Sequence, residues 1–261
     1  MDILFFVVIV FSLCWGSFLN VVAFRTITDR PFFETRSSCI FCNKIIAWYD
    51  NIPVLSWILL NRRCRYCRKK ISILYPFIEI LTAILITALF YKIFAHGFYL
   101  NSIFSFFVHF IFFSALIIAV RTDLQDLVIP QAFSIWLVPL GLISAHLGFL
   151  KISFNQSLFG AIIGYGILWL VAFLFKFFTK KEGLGTGDME IMALIGSFIG
   201  PLGVWITILI GSLTGLFIGG SYLLIAKKDQ SEKIPFGPFL VLGAVVYFFF
   251  KYYFIYYSIP F

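Results

Sequence analysis

Apolar residues in this chain come in long unbroken blocks, and the blocks have the length of a bilayer crossing. A helix spanning a hydrocarbon core of about 30 Å needs roughly 20 apolar residues. Runs free of charge cover 3–24, 94–120, 127–150 and 152–175, and 71–91 carries a single acid, Glu79. The run 234–250 is slightly short and continues into an aromatic tail that contains Lys251. Residues 191–226 are uncharged throughout, which at ~1.5 Å per residue is about 54 Å of helix, too long for one crossing. Gly200-Pro201 is the obvious break, because proline lacks the N–H that a continuing helix needs. The pattern therefore predicts a short segment over 188–200, a full span beyond it, and about eight transmembrane helices in all. Polar residues collect in one place, which predicts a first transmembrane helix over 1–24, a loop domain over 25–70 and a helical core over 71–261. Neither an internal repeat nor a low-complexity linker is evident.

Composition sharpens this picture. Of 261 residues, 61% are hydrophobic, 12% are charged and 35 are Phe, and the mean hydropathy is +1.01. Soluble domains carry about 25% charged residues, so a soluble globular monomer is excluded and the fold class is an all-α polytopic membrane protein. The segment 3–24 lacks a basic stretch before it and a small-residue cleavage site after it, so it reads as a retained helix and not a signal peptide.

Charge then sets orientation, since Lys and Arg are retained in cytoplasmic loops. With eight crossings, Lys92, Lys151 and Lys251 fall on one side, and the other 17 of the 20 Lys and Arg fall in the loops 25–70, 121–126, 176–190 and 227–233. These loops are expected in the cytoplasm and both termini outside it. The net charge of +8 reads as topology and attraction to anionic membrane lipid; no nucleic-acid module is present.

The large loop holds Cys39-Ile-Phe-Cys42 and Cys64-Arg-Tyr-Cys67. Two CxxC turns can complete a tetrahedral four-thiolate zinc site with no open position, a structural arrangement. The alternative is four reduced thiols or two disulfides. Cys14, alone in the first helix, is expected to be a packing residue.

Acids near a membrane core are costly and become candidates for function. Asp123 lies in Arg121-Thr-Asp-Leu-Gln-Asp-Leu-Val-Ile-Pro130, and Asp188 ends Gly185-Thr-Gly187-Asp188. Both fall at cytoplasmic helix ends and can share a depth and a face. Two carboxyl groups a few ångström apart cannot both ionise, so one keeps a proton while the other activates water for attack on a carbonyl. Gly185 and Gly187 would allow close backbone approach. Glu79 lies deeper and either pairs with a base or lines the site. Asp126 and Glu190 read as solvated caps. The three histidines, His96, His109 and His146, form no HExxH metal motif, and no serine nucleophile motif is present.

Taken in order, these residues resemble the type IV prepilin leader peptidases, bacterial inner-membrane aspartic proteases of the GxGD type. The matching series begins with Gly16-Ser-Phe-Leu-Asn20-Val-Val22 and continues with Arg36-Ser-Ser-Cys39 through Cys42. Trp48-Tyr-Asp50-Asn-Ile-Pro-Val-Leu-Ser-Trp57, the second CxxC and Ile71-Ser-Ile-Leu-Tyr75-Pro-Phe-Ile-Glu79 follow. The two Asp motifs and Ile234-Pro-Phe-Gly237-Pro-Phe-Leu240 complete it. The resemblance implies removal of a short basic leader from prepilins or pseudopilins at the cytoplasmic face, typically after a Gly. It also implies N-methylation of the new terminus from S-adenosylmethionine, in many members. By the family pattern Asp123, seven residues before Pro130, and Asp188 are the catalytic pair. The chain departs from the pattern at Gln131, where an Asp is common. Alternatives are a preflagellin-type or presenilin-like GxGD protease and, in another class, a transporter or metal-binding membrane scaffold.

Overall fold

The computed structural model describes residues 2–28, 37–95, 97–181, 183–226 and 234–258; Arg36, His96 and the lysines of 227–233 lie outside them. Almost all of the described chain is helical, and six helices are long and apolar enough to cross a membrane. The chain divides into two compact units, Met1–Arg121 and Thr122–Phe261.

The first unit contains α1 (Asp2–Ile27), the short α2 (Leu55–Leu59), α3 (Leu74–Phe94) and most of α4 (Leu100–Asp126). Helices α1 and α3 pack antiparallel through small and polar residues of the early motif. A Cβ at Gly16 would lie 2.8 Å from the Glu79 backbone, so only glycine permits this approach. One turn on, Asn20 donates from Nδ2 to the Tyr75 carbonyl at 3.1 Å and accepts from Arg121 Nε at 3.0 Å. The Arg121 guanidinium, 2% exposed, also lies 5.3 Å from the centre of the Tyr75 ring. Burying this cation is tolerable because hydrogen bonds and an aromatic face replace its water. Cys14, expected to pack inside, is exposed on α1, on a helix whose apolar window is only 22% buried; that surface suits lipid as its solvent.

In the second unit the apolar run 127–150 is not one long helix. Leu127 takes a left-handed conformation at φ 55°, and its N–H closes the last turn of α4 on the Asp123 carbonyl. Two 3-10 turns follow, Gln131–Phe133 and Ile135–Leu137, separated by Ser134 at φ −126°, ψ −96°. Only α5 (Val138–His146) is α-helical. An apolar run measures length, whereas Pro130, Ser134 and Pro139 set where the hydrogen-bond ladder can start.

Helices α6 (Phe154–Thr179), α7 (Thr186–Thr214) and α9 (Gly237–Ser258) form the body of this unit, with α8 (Gly220–Ala226) following a π-turn over Gly215–Gly219. Gly200, at φ 77°, ψ −179°, interrupts α7 in a region of backbone space open essentially to glycine alone. Together with Pro201 it folds the helix back on itself. Residues 157, 160 and 164 of α6 meet 197, 196 and 192 on the first leg, and residues 239, 243 and 247 of α9 meet 211, 207 and 203 on the second. Since α7 and α9 both start against Ile129, the two legs run in opposite directions. The break expected at Gly200-Pro201 is thus a reversal. Lys251 donates to the Lys151 carbonyl at 3.3 Å, at the end of the unit remote from Ile129.

Candidate active site

Asp123 sits in the last turn of α4 and is 6% exposed. Its Oδ2 accepts the N–H of Gly237 at 2.9 Å, so the opening N–H of α9 points at the carboxyl group. Helix N-termini favour negative charge through their unsatisfied N–H groups, which makes this a fixed seat for the side chain. Asp188 lies in the first turn of α7, half-buried, beside the N-cap Gly185, where a Cβ would lie 3.7 Å from Asp188 Oδ2. The neighbours of both acids close on one side chain: Gly187 precedes Asp188, Gly237 bonds to Asp123, and both glycines lie against Ile129. The structure therefore sets the two sequence-predicted acids at helix ends that close on one isoleucine, with Asp123 held by a backbone N–H.

Ile129 spaces the elements that carry them. A Cβ at Gly187 would lie 2.8 Å from Ile129 Cβ, and one at Gly237 would lie 3.1 Å from Ile129 Cδ1 and 2.9 Å from Asp123 Oδ2. The starts of α7 and α9 thus close on one buried isoleucine, and any larger residue at either glycine would push them apart. Gly185, by contrast, is exposed and serves as the N-cap of α7.

Glu190 corrects the reading of a solvated cap. It is 8% exposed and accepts Gln131 Nε2 and Ser134 Oγ, each at 3.0 Å. These bonds tie the turn after Pro130 to the turn after Asp188, and they give the unusual Gln131 a purpose, as a donor matched to an acid. Gly237, Ile129, Ser134 and Glu190 were not legible as site residues. The only sequence signal was the glycine between two prolines' segments, Pro235-Phe-Gly237-Pro238.

Glu79 belongs to the first unit. It is 6% exposed, and its Oε2 accepts the Val54 N–H at 2.7 Å.

The four loop cysteines converge, with all four Sγ atoms within 4.8 Å of one another. Cys39 and Cys67 Sγ are 3.8 Å apart, matching the edge of about 3.8 Å that follows from a Zn–S bond of ~2.3 Å in a tetrahedron. The segments 37–46 and 62–71 repeat one knuckle with an offset of 25 residues, a local repeat that the sequence hides because little beyond Cys and Lys is shared. Asn43 and Arg68 both take positive φ, at 52° and 58°. Their N–H groups bond to Cys39 and Cys64 carbonyls at 2.8 and 3.0 Å. The bridges Ser38–Ile45 and Arg63–Lys70 close the two turns. Burial pushes the Cys64 thiol up, but the N–H groups of Cys67 and Tyr66 and the neighbouring thiols bring it down to about 7. For Cys67 the Lys69 N–H lowers the thiol, yet burial and the adjacent sulfurs raise it to about 11. Such a set of thiols, crowded and unequal, could hold a metal ion.

Comparison with known proteins gives the chain a family. Residues 10–93 match the Bacterial Peptidase A24 N-terminal domain, and residues 110–220 match the Type IV leader peptidase family. The chain is 33% identical over 263 residues to the prepilin leader peptidase/N-methyltransferase of Aeromonas hydrophila, covering 92% of this chain and 88% of that one. The protein of the same name from Xanthomonas campestris pv. campestris is 36% identical over 78% of this chain and 68% of its own. That of Legionella pneumophila is 31% identical over 93% and 90%. No solved structure matches. The chain belongs to the type IV leader peptidase family.

Proposed function

We infer that this protein is a multi-pass inner-membrane aspartic endopeptidase that removes the leader from type IV prepilins or pseudopilins and then N-methylates the new terminus. The observation that supports the peptidase reading is that the helix ends bearing Asp123 and Asp188 close on Ile129, where α7 and α9 begin. Facing carboxyl groups share one proton. One of them takes a proton from water as the water attacks the scissile carbonyl, and the other gives its proton to the departing amine. The Gly237 N–H orients the Asp123 side chain through that exchange. Gly185, exposed beside Asp188, leaves room for an extended substrate backbone.

The excess of Lys and Arg in the loops 25–70, 121–126, 176–190 and 227–233 supports placing this end, and the cysteine loop, in the cytoplasm. A basic leader ahead of an apolar helix positions its junction at that surface. Co-expression with prepilins of the same cell tests the reading: the leader is lost and the product gains one methyl group by mass. A prepilin that stays full-length with every candidate refutes the peptidase assignment, and a cleaved but unmethylated product refutes the methyltransferase one.

Zinc is the metal that four thiolates in a closed tetrahedron suit best, with Cys39, Cys42, Cys64 and Cys67 as its ligands. When bound it supplies a crosslink between the two knuckles. Purified protein is expected to carry about one zinc per chain, and Cys64→Ser should release most of it and open the Arg- and Lys-rich segment to trypsin. Four free thiols with no zinc by elemental analysis would remove the metal from this account. Methylation draws on S-adenosylmethionine, which supplies the methyl group when bound.

A further inference from the structure

Asp123 and Asp188 are carried by separate helices, and the segment that lies between those helices has little regular structure of its own. From Leu127 to Ser134 no α-helical ladder sets its path. Leu127 is left-handed at φ 55°, Pro130 has no N–H to give, and Ser134 lies at φ −126°, ψ −96°. Each end of the segment is nevertheless fastened to the helix bearing one aspartate. At its start the Leu127 N–H donates to the Asp123 carbonyl at 3.0 Å. At its far end Gln131 Nε2 and Ser134 Oγ donate to the two oxygens of Glu190, each at 3.0 Å, and Glu190 stands two positions past Asp188 on α7.

Glu190 does not face the same way as Asp188. Two positions along an α-helix are about 200° of rotation, and both of its oxygens are already taken. Its contact with Ser134 is demanding, because Glu190 is 8% exposed and Ser134 wholly buried, and a buried polar group stripped of its partner costs more than a made bond gains. The Ser134 hydroxyl also reaches the Pro130 carbonyl at 3.2 Å, so the segment is closed on itself where Glu190 grips it. Ile129 against Gly187 brings the same segment onto α7, but apolar contact is non-directional and lets surfaces slide. Two hydrogen bonds to one carboxyl group fix both distance and rotation.

We propose that Glu190 is a positioning residue of the peptidase site: through Gln131 and Ser134 it holds the segment 127–134, and with it the end of α4, in the register that lets Asp123 and Asp188 act on the same water. The inference rests on the peptidase reading, and it gives Glu190 no proton of its own to move. Reacting groups tolerate little displacement, since a misplacement of about 1 Å can cost roughly 10²-fold in rate. One of the two donors is Gln131, the position at which this chain departs from the family pattern, so the clamp is a property of this chain.

Steady-state prepilin cleavage by full-length variants tests the clamp, with rates taken per molecule in the folded chromatographic peak so that lost stability alone leaves them unchanged. Glu190→Leu loses both bonds and should lower kcat roughly tenfold or more, with KM within about threefold of wild type. Glu190→Gln keeps both, since its Oε1 accepts from Ser134 and its Nε2 donates to the Gln131 side-chain oxygen once that amide turns over; it should retain about a third of wild-type kcat or more. Where Glu190→Leu gives no folded protein, Gln131→Ala combined with Ser134→Ala removes the same bonds from the other side and carries the same expectation. A kcat reduced less than tenfold in the variant that loses both bonds, or a loss confined to KM, overturns the proposal. So does a Glu190→Gln that falls below a third of wild type, because the acid itself and not its bonds would then be what turnover needs. In each of these cases wild-type cleavage persists and the peptidase reading stands, whereas wild-type protein inert toward every prepilin defeats that reading and the clamp with it.

Discussion

Asp188→Asn and Asp123→Asn should each lower prepilin cleavage by roughly 10³-fold or more, the upper range for loss of a positioned acid or base, while leaving the protein folded. Asparagine keeps the shape of the side chain and, at position 123, an oxygen that accepts the N–H of Gly237, so the bond that seats that residue survives. What disappears is the ability to take or give the shared proton. Because the pair acts as one unit, the double variant should be no slower than either single one, as for other residues that act together. Asp126→Asn is the control. Its side chain bonds to neighbouring Gln125 on the exposed surface, so its rate should stay within about threefold of wild type, since surface changes away from special features have small effects. Single-turnover cleavage followed by gel or mass measurement reads all four. More than a tenth of wild-type rate in either single aspartate variant would detach the chemistry from this pair.

The acids were legible because charge is expensive in an apolar chain and stands out there. Their surroundings were not. Gly237 reaches Asp123 across 114 positions of sequence, and no local pattern announces a backbone donor. Glu190 follows Asp188 so closely that it reads as part of the same exposed helix start, yet Gln131 and Ser134 bury it. Hydropathy located the crossings by length, which succeeded at Gly200-Pro201, where proline and glycine carry their own backbone signal. It failed over 127–150, where Leu127 in a left-handed turn and Ser134 between two 3-10 turns shape the chain without altering its hydropathy. The knuckle repeat was hidden for a related reason: its turns depend on hydrogen bonds and positive φ at Asn43 and Arg68, residues that share no chemistry.

The same limit hides the close packing of α6 on the first leg of α7. Gly160-Ala-Ile-Ile-Gly164 on α6 and Gly196-Ser-Phe-Ile-Gly200 on α7 are both small-xxx-small patterns, the spacing that lets two membrane helices touch backbone to backbone. They face each other. A Cβ at Gly196 would fall on the Gly160 carbonyl oxygen, and one at Gly160 would fall on the Gly196 carbonyl oxygen. Beside them the Ser157 hydroxyl donates to the Ser197 carbonyl at 2.5 Å. In lipid, helix association gains little from burying apolar surface and depends on such close contact and on interhelical hydrogen bonds. Gly196→Val therefore places three carbons against rigid backbone, and no side chain can swing aside to admit them. The expected cost is about 3 kcal/mol or more, at or above the upper end for overpacking, with a lower thermal midpoint in detergent and a weakened yield of folded protein. The effect should reach the active site, because the leg that moves is the one that starts at Asp188, and cleavage by the surviving protein should fall with it. Gly166→Val, on the same α6 helix but facing open space, should melt as wild type does. Equal midpoints for the two variants would mean that α6 and α7 do not meet through these glycines, and the positioning of Asp188 would then need another support.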